Sequence, residues 1–251
     1  MAEPLFYAEY LAEPGATLTL TGDEARHAAA SRRLRSGDTL WLFDGHGGIA
    51  RATVLNIAAP ARALDLRIEE RHTEPGPQPS IHLACALPKG DRQATLLDMA
   101  TQLGMTEFTP LQCERSVVKP GTGSTERWRR ICLEACKQSR RTHLPAIRSA
   151  ATPKEVVSCA ITAGGAAWIA HPSAQAIAVA SAVAQTASTN VTILVGPEGG
   201  FTDEEVAQAR TGGAGQLVLK SAILRIETAA VALIAAFALA AGAERPRPGG
   251  A

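Results

Sequence analysis

The stretch from Val191 to Ala229 constrains the fold most. Val191–Val195 (VTILV) reads as a buried strand, and it breaks at Gly196-Pro197-Glu198-Gly199-Gly200. Thr202 then opens a helix with Glu205 three residues on, a capping box, while Asp203 and Glu204 suit the positive end of the helix. A second strand, Gln216–Leu219, leads through Lys220–Arg225 into an apolar helix. Strand, loop, helix and strand in this order demand a parallel α/β sheet, whose ligands bind beyond the carboxyl ends of the strands. The loop has glycines that let backbone approach a ligand but no Lys to cradle a phosphate. It matches neither the P-loop nor the dinucleotide fingerprint. Two readings stand: a pocket for a neutral or cationic ligand built on backbone contacts, or a tight turn.

The remainder of the chain falls into two textures. Up to about Thr73, short alternating strands (Thr17–Leu20, Thr39–Phe43, Ile49–Ile57 and Ala63–Glu69) are separated by Gly-Asp and Gly-Gly turns, the pattern of a small β-barrel. One helical piece, Glu24–Leu34, carries His27. Glu74-Pro75-Gly76-Pro77-Gln78-Pro79 is stiff and polar and marks a domain boundary, dividing residues 1–73 from 81–246. Beyond it strands and helices alternate: strand Ile81–Leu87, helix Asp91–Leu103, strand Glu107–Leu111, helix Ser124–Gln138, strand Ala166–Ala170 ending at His171-Pro172, and helix Ala174–Ala184. The apolar run Thr228–Gly242 is shorter than the roughly 20 residues that span a bilayer, so a buried or subunit-interface helix is expected. No basic segment followed by an apolar one opens the chain, so a cytoplasmic protein is expected. The five cysteines form no CxxC and no His cluster joins them, so no metal site is expected.

Charge is uneven. Residues 81–150 hold eleven Lys/Arg against six Asp/Glu, a net of +5, in a chain whose total is +1. Either this basic middle faces an anionic polymer or it is a solvated surface.

Seven blocks taken in order carry a resemblance. They are His27 with RRLRSGD (Arg32–Asp38); LPKGDR (Leu87–Arg92); TQLGM with TPL (Thr101–Met105 and Thr109–Leu111); ERSVVK (Glu114–Lys119); EACKQSRR (Glu134–Arg141) with LPAI; GPEGGFTDEE; and ILRIETA (Ile223–Ala229). Together they resemble the RsmE-type 16S ribosomal RNA uridine-N3 methyltransferases of the SPOUT (trefoil-knot) class. The resemblance implies a PUA-like N-terminal β-barrel that binds RNA and a knotted C-terminal α/β methyltransferase domain. It also implies S-adenosylmethionine as methyl donor, ribosomal RNA or the small ribosomal subunit as partner, and a homodimer. Carried over, the donor pocket takes His171, Pro172, Gly196, Pro197, Gly199, Gly200, Leu219, Lys220, Ile223 and Leu224. Ile223 and Leu224 supply its apolar walls. Arg225 is the candidate for stabilising charge on the base, and Glu198 the candidate base or orienter. Arg225 in an ion pair with Glu227 or Glu198, Glu198 as a loop cap and His171 as a turn residue are the structural alternatives. RNA contacts fall to Arg32, Arg33, Arg35, Lys89, Arg92, Arg115, Lys137, Arg140 and Arg141. The chain departs from the family pattern at Lys220 and Arg140, where Gly is usual, at Gln102 for Glu and at Ile226 for Thr. A SPOUT enzyme acting on another RNA or on a ribose 2′-oxygen, and a dimeric RNA-binding protein without catalysis, are the competing functions. A dehydrogenase is disfavoured because the dinucleotide fingerprint is missing.

Overall fold

The computed structural model describes residues 3–31, 34–58, 63–219 and 223–241. Two compact units emerge, one of Met1–Gly76 with Leu133–Leu144, the other of Pro77–Cys132 with Pro145–Ala251.

The first unit is a five-stranded sheet of β1 (Leu5–Tyr7), β2 (Thr17–Thr21), β3 (Thr39–Phe43), β4 (Gly48–Ala58) and β5 (Ala63–Thr73), in the order β1-β3-β4-β5-β2. Only β1 and β3 run parallel. Strict alternation builds its core, because Leu40, Leu42, Ala50, Ala52, Val54, Leu64, Leu66 and Ile68 all point to one side. Two register shifts in the β4–β5 pair, at Arg51/Ala52 and Val54/Asn56, bend that sheet. The hydrogen-bond order does not close on itself, so the expected barrel is a half-barrel. The expected helix Glu24–Leu34 is a short α1 (Gly22–Arg26) followed by a π-helical turn, His27–Ser31. Leu34 N–H bonds back to Ala28 O at 3.3 Å, which turns the chain out of the helix, and both Ala25 and Ala28 are fully buried.

Residues Leu133–Leu144 complete this unit. Cys136 packs with Leu5 and Phe43, and Leu133 and Leu144 lie beside them. The Lys137 ammonium donates to Glu24 at 2.7 Å and to Glu134 at 2.9 Å, with His27 Nδ1 at 3.4 Å. Arg140 adopts φ 61°, the left-handed conformation, at the position where the family pattern has Gly, and its guanidinium donates to the Glu3 carbonyl.

The second unit is a seven-stranded sheet in which every pairing is parallel. Its strands are β6 (Ser80–Cys85), β7 (Met105–Pro110), β8 (Ala146–Ile147), β9 (Ala166–Ala170), β10 (Ile177–Ala178), β11 (Asn190–Val195) and β12 (Gly215–Val218), ordered β10-β12-β9-β11-β6-β7-β8. The helices are α2 (Arg92–Leu103), α3 (Ser124–Ser139), α4 (Pro153–Thr162), α5 (Val179–Gln185), α6 (Asp203–Thr211) and α7 (Ile226–Ala241), of which α3 belongs to this unit up to Cys132 and to the first unit from Leu133. α4 and α6 cover Ala84, Ala167, Ile169 and Leu194 with Val156, Val157, Val206 and Ala209. α7 packs on β6 and β11 and against α2 and α5. Covered so, Val191–Val195 is buried at every residue, which is why it reads as a continuous apolar run.

Two elements differ from expectation. The helix expected over Ala174–Ala184 starts only at Val179, because Ile177 and Ala178 pair with Leu217 and Val218 as an edge strand. Helix α4 was not expected, although Thr152-Pro153-Lys154-Glu155 writes a capping box that forms in full, with Glu155 N–H on Thr152 Oγ1 at 3.3 Å and Thr152 N–H on the Glu155 carboxylate at 2.8 Å. Among the described residues no helix is long and apolar enough to cross a membrane, and no cluster of three or more His, Cys, Asp or Glu forms a metal site.

Two predictions concern stability. Gly215 lies opposite Trp168 in the β9–β12 pair, and a Cβ there would stand 2.3 Å from the indole, which Thr186 holds through a 2.9 Å bond. Gly215→Ala should cost about 1–3 kcal/mol by overpacking, read by denaturant unfolding. His82, on β6, bonds Thr109 Oγ1 at 2.8 Å and approaches Thr192 Oγ1 at 3.4 Å, with Glu107 at 3.7 Å and Arg148 beyond it. Burial, the dominant cause, holds its pKa below 6.5, opposed by Glu107 and aided by Arg148. The unfolded state therefore binds the proton first. Stability is complete above pH 6.5 and declines as the pH falls from there towards the lowered folded value. His82→Gln should flatten that part of a melting-temperature profile.

Candidate active site

Because the sheet is wholly parallel, the carboxyl ends of β6, β9, β11 and β12 share one edge, and these four strands are neighbours. The β11 loop is the best anchored of their continuations. Gly200 N–H closes a turn onto Pro197 O at 2.8 Å, with Gly200 at φ 70°. Gly196 sits against the buried Phe201 ring, where a Cβ would be 2.9 Å away. The Thr202–Glu205 capping box forms, through bonds of 3.2 and 2.8 Å. The segment after β7 straps this loop down: Arg115 Nη1 donates to Gly199 O at 2.8 Å and to Phe201 O at 3.4 Å, and Glu114 N–H donates to Glu205 at 2.9 Å.

The β9 loop is pinned to β12. His171 N–H bonds Leu217 O at 3.1 Å and Ser173 Oγ donates to the buried Gln216 at 2.9 Å. Past β12, Leu219 is half-buried, Ile223 is 101% exposed and Leu224 39% exposed. The exposed Arg225 precedes α7, its carbonyl accepting from Ala229 N–H at 2.9 Å. It makes no ion pair among the described residues. The two carboxylates that were its alternative partners face Arg92 instead, Glu198 at 3.6 Å and Glu227 at 3.7 Å. Beneath them Cys85 ends β6, fully buried, its thiol pushed well up by burial first and then by Cys113, Glu227 and Glu198.

The edge thus offers backbone groups, the half-buried Leu219, the exposed Ile223 and Leu224, and two carboxylates facing Arg92, with Arg115 on the β11 loop and Arg225 before α7. Backbone groups and aliphatic side chains suit a ligand with an apolar part. A shallow hollow elsewhere is lined by α4 and its flanks (Thr152, Lys154, Ser158, Cys159) and contains none of these groups.

A family model described as an RNA methyltransferase domain matches residues 74–238, and one described as an RNA methyltransferase PUA domain matches residues 20–61. The ribosomal RNA small subunit methyltransferase E of Mycobacterium bovis is 34% identical over 243 residues, covering 94% of this chain and 91% of the relative. The chain belongs to the ribosomal RNA small subunit methyltransferase E family. The Neisseria gonorrhoeae member, solved bound to S-adenosyl methionine, superposes with a TM-score of 0.83 at 28% identity over 94% of this chain and 96% of that one. A putative methyltransferase from Legionella pneumophila, solved with bound cofactor SAM, gives 0.83 at 27% identity over 96% and 98%. The two units are accordingly a PUA-like domain and a parallel α/β methyltransferase-family domain.

Within this family frame the expected residues separate. His171, Pro172, Gly196, Pro197, Gly199, Gly200 and Leu219 gather at three neighbouring strand ends. Lys220, Arg32 and Arg33 lie outside the described residues. Arg35 and Lys89 are exposed. Lys137, expected to meet RNA, has a side chain only 7% exposed and is spent on Glu24 and Glu134. Arg141 is largely buried, and that burial lowers its pKa. Arg115 faces the β11 loop, and Arg92 faces two carboxylates. Sequence reasoning missed Glu227 as a site residue, although it stands inside the ILRIETA block. Its Oε2 is buried and accepts no hydrogen bond among the described residues.

Arg115→Ala should cost about 1 kcal/mol and speed hydrogen exchange at residues 199–202. Arg115→Lys should restore most of this, since a single nitrogen, Nη1, makes both bonds and an ammonium can donate to two carbonyls. Unchanged exchange in both variants would show that the strap does not hold the loop.

Proposed function

We propose that the chain is an S-adenosylmethionine-dependent methyltransferase that modifies N3 of a uridine in 16S ribosomal RNA. The observation that carries this reading is the meeting of the GPEGG loop, the His171-Pro172 loop and the ILRIETA segment at adjacent ends of one parallel sheet, in a chain of this family. In this reading residues 1–73 form an RNA-binding domain and residues 81–246 the methyltransferase domain, knotted, working as a cytoplasmic homodimer.

S-adenosylmethionine supplies an electrophilic methyl group on a sulfonium. Backbone groups of Gly196, Leu219 and Leu224 are assigned to its adenine and ribose side. Transfer to nitrogen is a displacement, so the chain's main contribution is to align donor and acceptor. The uracil imide must be unpaired and lose its N3 proton. Glu198, about half exposed and ion-paired at 3.6 Å, is the group assigned to take or orient that proton. Arg225 has no carboxylate partner among the described residues and is assigned to the negative charge that develops on the base. Arg35, Lys89 and Arg140, with Arg32 and Arg33, are the cations assigned to phosphates, where they position the RNA without reading its sequence.

Calorimetric titration of the purified chain with S-adenosylmethionine should give saturable binding. Incubation with 16S RNA, followed by nucleoside mass spectrometry, should yield 3-methyluridine. Arg225→Ala should keep donor binding and lose turnover by about 10²-fold or more, the scale for removing one charge-stabilising donor. A 2′-O-methylated product would move the reaction to ribose, and absent donor binding would leave an RNA-binding protein.

A further inference from the structure

We propose that Arg92 is a positioning residue of the donor pocket, a clamp that ties Glu198 in the β11 loop to Glu227 at the start of α7. The inference deepens the methyltransferase reading above and rests on it.

Three observations carry it. Arg92 opens α2, and its guanidinium points to both acids, Nη2 to Glu198 Oε1 at 3.6 Å and Nη1 to Glu227 Oε2 at 3.7 Å, while its Nε reaches Lys89 O at 3.3 Å. The side chain is one-third exposed and its nitrogens are engaged inward, an unsuitable arrangement for a cation free to meet phosphate. Glu227 is the sharper case. Its side chain is 13% exposed, its Oε2 is buried without a hydrogen bond among the described residues, and Arg92 is the compensating charge that reaches it. Removing one partner of such a pair leaves a buried carboxylate unmatched, an expensive state that the fold relieves by moving the carboxylate outwards.

The two acids lie on the two segments that matter. Glu198 is inside the turn closed by Gly200 N–H on Pro197 O, and Glu227 is in the first turn of α7, two residues after Arg225 in ILRIETA. α2 itself packs on α7. One guanidinium therefore sets the spacing between two of the three loops around the donor. Without it the two carboxylates repel each other, and the pocket opens where the donor must be held.

The test uses the full chain with Arg92→Ala, Arg92→Lys and Glu227→Gln. Hydrogen exchange of the donor-free protein should accelerate at residues 197–201 and 226–230 in Arg92→Ala. Its dissociation constant for S-adenosylmethionine should rise tenfold or more, with the salt dependence of RNA affinity unchanged. Arg92→Lys should recover part of both, because a point charge reaches two carboxylates less well than a planar fork. Glu227→Gln should free the same segments, and it keeps the inference testable if Arg92→Ala folds poorly. Donor affinity unchanged in Arg92→Ala, with the RNA salt slope reduced by about one, would make Arg92 a phosphate contact and overturn the clamp. A wild-type chain that binds no donor, while Arg92→Ala still frees both segments, would keep the clamp and overturn the methyltransferase reading instead.

Discussion

Parallel pairing is the constraint on which the site depends. Were one strand among β6, β9, β11 and β12 reversed, its following loop would leave the common edge, and the loops of the candidate site would never meet. Parallel strands cannot be joined by tight hairpins, so every connection must cross back over the sheet. The crossovers include α2, α4 and α6, and β11 is buried beneath α4, α6 and the helix α7 that follows the last strand. The apolar monotony of VTILV and the polarity of the glycine loop that follows are thus two sides of one requirement: a dry strand that ends at a wet rim.

Rim loops have few backbone partners of their own, and this chain holds them with side chains brought from a distance. Arg115 comes from 84 residues before Gly199 to cap its carbonyl, Glu205 serves both its own helix and the Glu114 amide, and Ser173 reaches Gln216 across the β9–β12 pair. Arg92 extends the pattern to charge. Several cations that a linear reading gives to RNA are in fact the internal fittings of the fold.

That division explains what was legible. Local chemistry was: Thr202 with Glu205 three residues later announces a helix start, and the alternation in β4 and β5 announces a one-sided sheet. Thr152 with Glu155 is equally explicit, and Val156 and Val157 of the helix it opens pack in the core. Alanine-rich sequence around Ile177-Ala178 suits a helix, and only the pairing with Leu217-Val218, forty residues on, makes it an edge strand. The roles of Lys137 and Arg92 were not legible at all. Glu24 lies 113 residues before Lys137, and Glu198 and Glu227 more than 100 residues after Arg92. Charge counting sees the cations, whereas only tertiary structure supplies the counter-charges that withdraw them from solvent.

The return of residues Leu133–Leu144 to the first unit has a consequence for the order in which the molecule is made. A ribosome that has released residues 1–76 has delivered all five strands of the half-barrel but not Cys136, which packs on Leu5 and Phe43, nor Lys137, which neutralises Glu24. The nascent N-terminal unit must wait, with an apolar patch uncovered and a carboxylate unmatched, until about sixty further residues have emerged. Its completion is therefore tied to synthesis of the first part of the second unit, so the two cannot mature as independent beads on a string.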